Sequence, residues 1–502
     1  MSRRAAVSHP TELYRAEQVR ELDRIAIEDF HIPGAVLMER AGLAAFDALR
    51  RAWPGARRLS IVCGPGNNGG DGFVLARAGA AAGYSVRIAL LGDAARLRGD
   101  ALGAHDRMRD AGLALQAYSK DILDDADVVV DALFGTGLDR DVEGAFAGCI
   151  ADINASPAPV LAIDIPSGLH ADTGRVLGVS VAAELCVSFI GLKQGMFTGD
   201  ARNCCGRVEF DDLGVPPALY QRVPTTVRRA DLASFEGLLG RRRPSDHKGR
   251  FGHVLIIGGD AGFAGAARMA GEAAARCGAG LTSIATRAVH AGGLASQRPE
   301  LMCHAIEETA SLAPLLERAT VVAVGPGLGR GAWGRAMLDA VLGMPQPLIM
   351  DADALNLLAE SQQDLDRSAA ATIMTPHPGE AARLLGCSSR AIENDRFTAA
   401  GTLAERYRAT LVLKGAGTLV CEPGGTTWVC AGGNPGMGSG GMGDVLTGVI
   451  ASLVAQGLAP AVAARAGVCL HASAADLAAA DGERGLLAGD LMLPLRTLVN
   501  TL

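Results

Sequence analysis

Residues 433–444 read Gly-Asn-Pro-Gly-Met-Gly-Ser-Gly-Gly-Met-Gly-Asp, and Val445-Leu-Thr-Gly follows. Half of the stretch is glycine, and a carboxylate closes it where a helix is expected to begin. Glycines let a backbone approach an anion closely, and successive N–H groups can point at phosphate oxygens. An aspartate beside those phosphates could move a proton or help place a cation, which makes Asp444 a candidate catalytic group of nucleotide chemistry. A second Gly-rich element, Gly64-Pro-Gly-Asn-Asn-Gly-Gly-Asp-Gly72, lies far upstream. It follows the apolar run Ile61-Val-Cys63, at the carboxyl end of an expected strand, where open α/β sheets bind ligands. Its spacing is not that of a dinucleotide fingerprint, and no Gly-Lys-Ser/Thr follows as a P-loop requires. Two further strand ends carry oxygen: Val130-Asp131-Ala-Leu-Phe-Gly135 and Ile163-Asp164-Ile-Pro-Ser167-Gly168. Three such ends could surround one hard cation and one polar ligand. Taken singly, each Asp or Ser also suits a turn or a helix N-cap. Two Gly-rich sites predict two active sites.

The elements that must position these groups read as two α/β series. A chain of 502 residues exceeds one ordinary core, and 49% apolar residues suffice to build two. Helical spacing covers 11–29. Strands are expected at 59–63, 85–91, 128–133, 160–165 and 186–190, with helices such as 70–82 and 142–153 between them. These strands are β-branched runs without alternation, the pattern of sheets covered on both faces. The rhythm breaks around 214–250, where Arg241-Arg-Arg-Pro-Ser-Asp-His-Lys-Gly-Arg250 reads as a solvated linker, with a phosphate contact from Lys248 or Arg250 as the alternative. A second series starts at Val254. Its strands are expected at 281–285, 321–324, 348–351, 372–375, 410–413 and 418–421, and 441–480 reads as an Ala-rich helical tail. The fold class is α/β, two three-layer doubly wound domains spanning 1–225 and 226–502.

Composition excludes some partners. A formal net charge of −7 and only 4% aromatics argue against a nucleic-acid surface. Met1–Pro10 lacks the apolar core of a signal peptide, and no apolar run is long enough to span a bilayer. The eleven cysteines are scattered without a Cys-x-x-Cys, as expected for reduced thiols in a cytoplasmic protein.

The upstream residues resemble the YjeF N-terminal domain, the NAD(P)H-hydrate epimerase. The resemblance is carried by Gln18, Asp23, Leu37-Met-Glu-Arg-Ala-Gly42, the Asn-Asn-Gly-Gly-Asp run, Val130 to Gly135, Asp164 to Gly168 and Gly191-Leu-Lys-Gln-Gly195, across about 11–220. It implies a Rossmann-like fold. It implies that Asn68, Asp131 and Ser167 bind K+. A hydrate pocket would be lined by Asn67, Asn68, Gly69, Gly70, Asp71, Gly135, Thr136, Gly137, Leu138, Asp139, Arg140, Asp141 and Asp164. Epimerisation needs proton movement and a C–O bond broken and remade, so Asp164 is the expected acid/base, with Lys193 second.

The downstream half is similar to the ribokinase superfamily, and within it to the ADP-dependent NAD(P)H-hydrate dehydratases. Lys248 to Gly259, Gly265-Ala-Ala267, Gly278 to Leu281, Gly325-Pro-Gly-Leu-Gly329, Asp351-Ala-Asp-Ala-Leu-Asn356, Thr375-Pro-His-Pro-Gly-Glu380 and Leu413 to Thr418 carry it, across about 228–498. The resemblance implies that Lys414, Gly415, Ala416, Gly417, Thr418, Asn434, Gly440, Gly441 and Gly443 hold ADP, with Mg2+ on its phosphates. Ala266, Gly327, His377 and Asp444 would face the hydrate. Relatives often carry an aromatic hydroxyl where this chain has Asp260-Ala-Gly-Phe-Ala264. His377 also reads as a turn residue, Gly325–Gly329 as a tight turn, and Asp351 and Asp353 as helix N-caps.

Together the resemblances imply repair of the damaged cofactors NADHX and NADPHX by epimerisation and ADP-dependent dehydration. A homo-oligomer without membrane or nucleic-acid partners is expected. The alternatives are a ribokinase-like kinase for a small alcohol carrying a YjeF-N binding module, and a non-enzymatic scaffold.

Overall fold

The computed structural model describes residues 11–361, 365 and 371–502. Met1–Pro10, the segment without a signal-peptide core, lies outside the described residues. The chain divides into two compact units, Met1–Arg228 and Arg229–Leu502.

The first unit is built on seven strands in the order Leu115–Ala117, Ser85–Leu90, Arg58–Cys63, Val128–Ala132, Val160–Ile163, Leu185–Phe189, Arg207–Asp211. Every neighbouring pair is parallel. The strands are buried on both faces: Ile61 and Val130 share a core with Phe46 and Val74, and their neighbours Val62 and Val129 are equally sealed. From Arg58–Cys63 the chain winds outward to one edge and then returns to the other side at Val128–Ala132. The order reverses between those two strands, and the Gly64 and Asp131 loops leave from their carboxyl ends, the crevice expected of doubly wound sheets.

One boundary differs from expectation in a way that matters. The helix after Cys63 runs Asn67–Ala81, so Asn67 to Asp71 form its first turns instead of a loop before it. Glycines hide this start, because their helix propensity is poor. They are there for close approach: a Cβ on Gly69 would collide with the Gly64 carbonyl, and one on Gly70 with the Met38 thioether.

In the second unit the strands run Thr427–Cys430, Thr418–Cys421, Thr410–Leu413, Thr372–Met374, Leu348–Met350, Val321–Val324, His253–Ile257, Leu281–Thr286, Met302–Ala305. The first three form antiparallel pairs, and the rest are parallel. The stretch expected as one tail, 441–480, is two helices, Met442–Ala455 and Pro460–Ala478. Gly457 in a left-handed conformation ends the first, and Pro460 opens the second. Met442–Ala455 is buried along most of its length and lies so close to Ala264–Arg276 that a Cβ on Gly448 would strike the Ala270 carbonyl.

The basic run is not a free linker. Arg242 stacks on Phe251 at 3.6 Å and donates to the Gly278 carbonyl (2.6 Å) and to Gln456 Oε1 (2.9 Å). Lys248 and Arg250 precede His253–Ile257, at the amino ends of the strands, opposite the carboxyl ends that bear Asp351, Thr375 and Lys414. That placement removes the proposed phosphate contact.

Candidate functional site

In the first unit the predicted residues gather at the switch crevice. Asp131 ends its strand fully buried, accepting the Ser167 N–H (2.8 Å), the Ser167 hydroxyl (2.7 Å) and the Leu133 N–H (3.2 Å). Ser167 also accepts the Phe134 N–H at 2.8 Å, which ties the ends of two neighbouring strands together. Burial holds the Asp131 carboxyl up at about 6 against those bonds. Asn68, in the first turn of Asn67–Ala81, is buried, and neither side-chain amide atom has a partner. An orphan amide oxygen, a hydroxyl and a carboxylate are oxygen donors of the kind a hard monovalent cation takes, so the residues fit K+.

Asp164 follows Val160–Ile163 with φ +69°, an uncommon conformation for a non-glycine and one that recurs at functional sites. It is ion-paired with Lys193, whose fully buried ammonium also donates to Ser188 Oγ (2.9 Å) and the Phe189 carbonyl (3.2 Å). Lys193 is held from both sides, because Tyr14 N donates to Leu192 O (2.8 Å) and Gln194 N to Tyr14 O (2.9 Å). A Cβ on Gly135 would lie 3.2 Å from Asp164 Oδ2 and 3.6 Å from Asn68 Cβ, so these three predicted residues meet. Thr136 and Leu138 are partly exposed, and Gly137, Asp139, Arg140 and Asp141 are exposed on the loop beyond, with Asp141 3.7 Å from Arg175. Asn67 is exposed, and Gly69 and Gly70 serve the helix packing described above.

Two carboxyls share this crevice with Asp164. Asp71 is pushed well above the usual range by burial, then by Asp164 and Asp23, with Lys193 opposing. Asp23, on Ala16–Glu28, is raised to about 6 by burial, with Lys193 lowering and Asp164 raising it. Sequence reasoning took Asp23 only as part of a resemblance. Three carboxyls thus face one buried ammonium, and burial and their mutual repulsion raise the pKa of Asp71 and Asp23.

In the second unit Asp444 is the third residue of Met442–Ala455, so the partly positive helix end faces it. Gly441 precedes that helix with φ +93°, which a side chain would oppose, and a Cβ there would strike Met269. Lys414 comes up under the same turn: its ammonium lies 3.2 Å from where a Gly443 Cβ would be. Lys414 opens the turn 414–418 of the antiparallel hairpin Thr410–Leu413/Thr418–Cys421, closed by Thr418 Oγ1 donating to Gly415 O (3.0 Å). Buried Arg396 donates to the Leu413 and Lys414 carbonyls (3.2 and 3.1 Å), and Gly415 passes beside it. Asn434 caps the short helix Pro435–Met437, and Gly440 has open space around it.

The residue that sequence reasoning misread is Asp351. It stands at the N-cap position of Ala352–Ser361, its carbonyl accepting the Ala354 N–H (3.0 Å), but residue 352 has φ +47° and the carboxylate turns elsewhere instead of capping the helix. Oδ1 accepts Thr375 Oγ1 (2.8 Å) and Lys414 Nζ (2.6 Å), and Oδ2 accepts Thr447 Oγ1 (2.8 Å). One buried carboxylate thus joins three strand ends to the Asp444 helix. Its signal was available: like Asp131 and Asp164, it is an aspartate closing an apolar strand. Asp353 accepts the Gly329 N–H (2.9 Å), fixing the Gly325–Gly329 turn from outside.

The electrostatics follow. Asp444 is raised to about 7, by burial first, then by Asp351, with Lys414 opposing and Asp353 and Glu380 adding to the rise. Lys414 is pulled down by burial, but Asp351, Glu380 and Asp444 outweigh this and leave it raised. His377 is the N-cap of Pro378–Leu385, accepting the Gly379 N–H at Nδ1 (2.9 Å), with Nε2 3.3 Å from Glu380 Oε1. It is half-exposed, and burial, then Lys414, lowers its pKa. Ala266 and Gly327 meet, a Gly327 Cβ lying 3.1 Å from Ala266 Cβ, one helical turn from the Met269 that touches Gly441. Among the described residues no group of three or more His, Cys, Asp or Glu is arranged to hold a metal ion. A cation here would take its ligands from phosphates, as Mg2+ commonly does. All eleven cysteines are free thiols, and among the described residues no helix is long and apolar enough to cross a membrane.

Two doubly wound units, each with a polar site at its strand ends and one with a lysine-backed anion loop, define a fused pair of small-molecule enzymes. Residues 34–195 match the family described as YjeF-related protein N-terminus, and 254–495 match NAD(P)H-hydrate dehydratase. The bifunctional NAD(P)H-hydrate repair enzyme of Coxiella burnetii is 47% identical, covering 98% of this chain and 100% of that one. Its counterpart from Escherichia coli K12 is 43% identical over 98% and 95%. A ribokinase-like superfamily protein of known structure from Enterococcus faecalis V583 is 31% identical, with a TM-score of 0.50 over 55% of this chain and 96% of that one. The chain belongs to the bifunctional NAD(P)H-hydrate repair enzymes.

Proposed function

We propose that the first unit interconverts the R and S forms of NADHX and NADPHX, and that the second dehydrates the S form to NADH or NADPH with consumption of ADP. The observation that carries the reading is Asp444, a carboxyl raised to about 7 at the start of a buried helix whose first turn meets Lys414 at Gly443 and, at Gly441, Met269 of the helix that carries Ala266. Hydroxide leaves poorly. Asp444 takes the proton of the hydrate hydroxyl, that oxygen receives the terminal phosphoryl group of ADP and leaves AMP, and phosphate then departs with the C–O electron pair as the adjacent ring carbon gives up a proton. Lys414 and the N–H groups of 440–443 hold the phosphates, and Lys414 stays charged because Asp351 and Glu380 face it. Mg2+, when bound, neutralises phosphate charge. The small-alcohol kinase reading places the same proton transfer on a stable product.

In the first unit, Asp164 and Asp71 are set on the crevice to move the proton between C–O cleavage and re-formation. Lys193 holds Asp164 in place. Asn68, Asp131 and Ser167 would hold K+, which supplies charge compensation near the ligand. We assign the protein to the cytoplasm, in keeping with its free thiols. We further propose a homo-oligomer, which would cover exposed Leu487, Leu493 and Val289; sedimentation tests it.

The deciding experiment incubates the protein with mixed NADHX epimers, ADP, Mg2+ and K+ and follows absorbance of the reduced nicotinamide. Recovery of both epimers is expected. A phosphorylated product that persists, with no reduced nicotinamide, would establish the kinase instead.

A further inference from the structure

Pro460–Ala478 holds the start of the Gly-rich loop. Asp476 Oδ2 accepts the Gly433 N–H at 3.0 Å and Oδ1 accepts Asn434 Nδ2 at 2.9 Å. Asn434 in turn accepts the Gly436 N–H at 3.0 Å. The loop therefore starts on a carboxylate with both oxygens engaged. Met442 opens the helix that bears Gly443 and Asp444. The two helices are pressed together, since a Cβ on Gly467 would lie 2.8 Å from Ile450 Cγ1.

A loop that is half glycine has much backbone freedom to lose when it orders around a ligand. Donors fixed beforehand bind anions without that cost. We propose that Asp476 is a positioning residue for the dehydration reaction. Asp476 presets the loop for the nucleotide phosphates and acts through the loop residues it holds, without touching substrate. The inference rests on the reading of 434–443 as the ADP loop.

The role of Asp476 is read in kinetics. In the full chain, Asp476→Asn keeps an acceptor for Gly433 but sets two amide groups against each other at Asn434. It is expected to raise the ADP KM and the calorimetric Kd about tenfold, with kcat and the hydrate KM within about twofold, the size of one charge-assisted hydrogen bond. Adding Asn434→Asp exchanges donor and acceptor and is expected to bring the ADP KM back to within about threefold of wild type. Thermal melts of each sample show whether the second unit has folded. An unchanged ADP KM in Asp476→Asn, or a double variant no better than the single one, would overturn the proposal. Gly443→Val isolates the underlying reading. If that variant binds ADP like wild type, the loop is not the ADP site. If it fails to bind while Asp476→Asn binds normally, only the positioning role is lost.

Discussion

As the general base we propose, Asp444 must be a carboxylate, while burial, then Asp351, raises its pKa to about 7. The sign of the pH dependence follows. A group raised above the ordinary carboxylate range is ionised only above its own pKa, so kcat/KM for dehydration should climb as pH rises through about 7. Asp351→Asn removes the neighbouring negative charge and frees Lys414 to turn toward Asp444, and both changes favour the ionised form. The climbing limb should therefore move to lower pH while the maximal rate falls, because the same substitution weakens the grip on Lys414. A limb that stays in place, or moves to higher pH, would remove Asp351 from the tuning of Asp444. Several residues of the two sites were legible beforehand because local pattern marks them: Asp131 and Asp164 close apolar runs, and Asp444 closes a glycine run. Asp351 fits the same pattern but was misread, because its partners Thr375, Lys414 and Thr447 come from segments 24, 63 and 96 residues away and leave no local trace.

At the scale of elements, the site is only as well placed as its helices are packed. Gly448 of the Asp444 helix lies against the Ala270 carbonyl of the helix that carries Ala266. Gly448→Val would meet a backbone carbonyl, which cannot rotate away as a side chain can. The helices should part, with a loss of about 1–3 kcal/mol in stability typical of overpacking. Dehydratase activity should fall more than that loss explains, since Asp444 moves away from the Ala266–Gly327 wall. Urea unfolding together with kcat measured well below the transition separates the two effects, and a variant that loses stability but keeps wild-type kcat would show that the site tolerates the shift. Central strands could be located from apolar β-branched runs. The edge strands Leu115–Ala117 and Arg207–Asp211 could not, because edges are half-exposed and their Gln, Arg and Glu read as loop. The early start of Asn67–Ala81 was hidden for a related reason: packing against Gly64 and Met38 overrides the low helix propensity of Gly69 and Gly70.

At the scale of the whole molecule, two sites built on separate units need share only a diffusible substrate. A dehydratase specific for one epimer strands the other, and an epimerase in the same chain returns it. Each function should therefore be removable alone. Given mixed NADHX epimers, Asp164→Asn should restore reduced nicotinamide in a rapid phase that stops near the S fraction, whereas Asp444→Asn should restore almost none, a loss of roughly 10²–10⁴ for a missing general base. Mixing the two variant proteins should carry the reaction to completion, because each supplies the site the other lacks and the hydrate passes through solvent. Completion at a rate that scales with the concentration of the Asp444→Asn chain would identify the epimerase as the donated activity. A mixture that halts at the same plateau as Asp164→Asn alone would mean that the two reactions must occur on one chain.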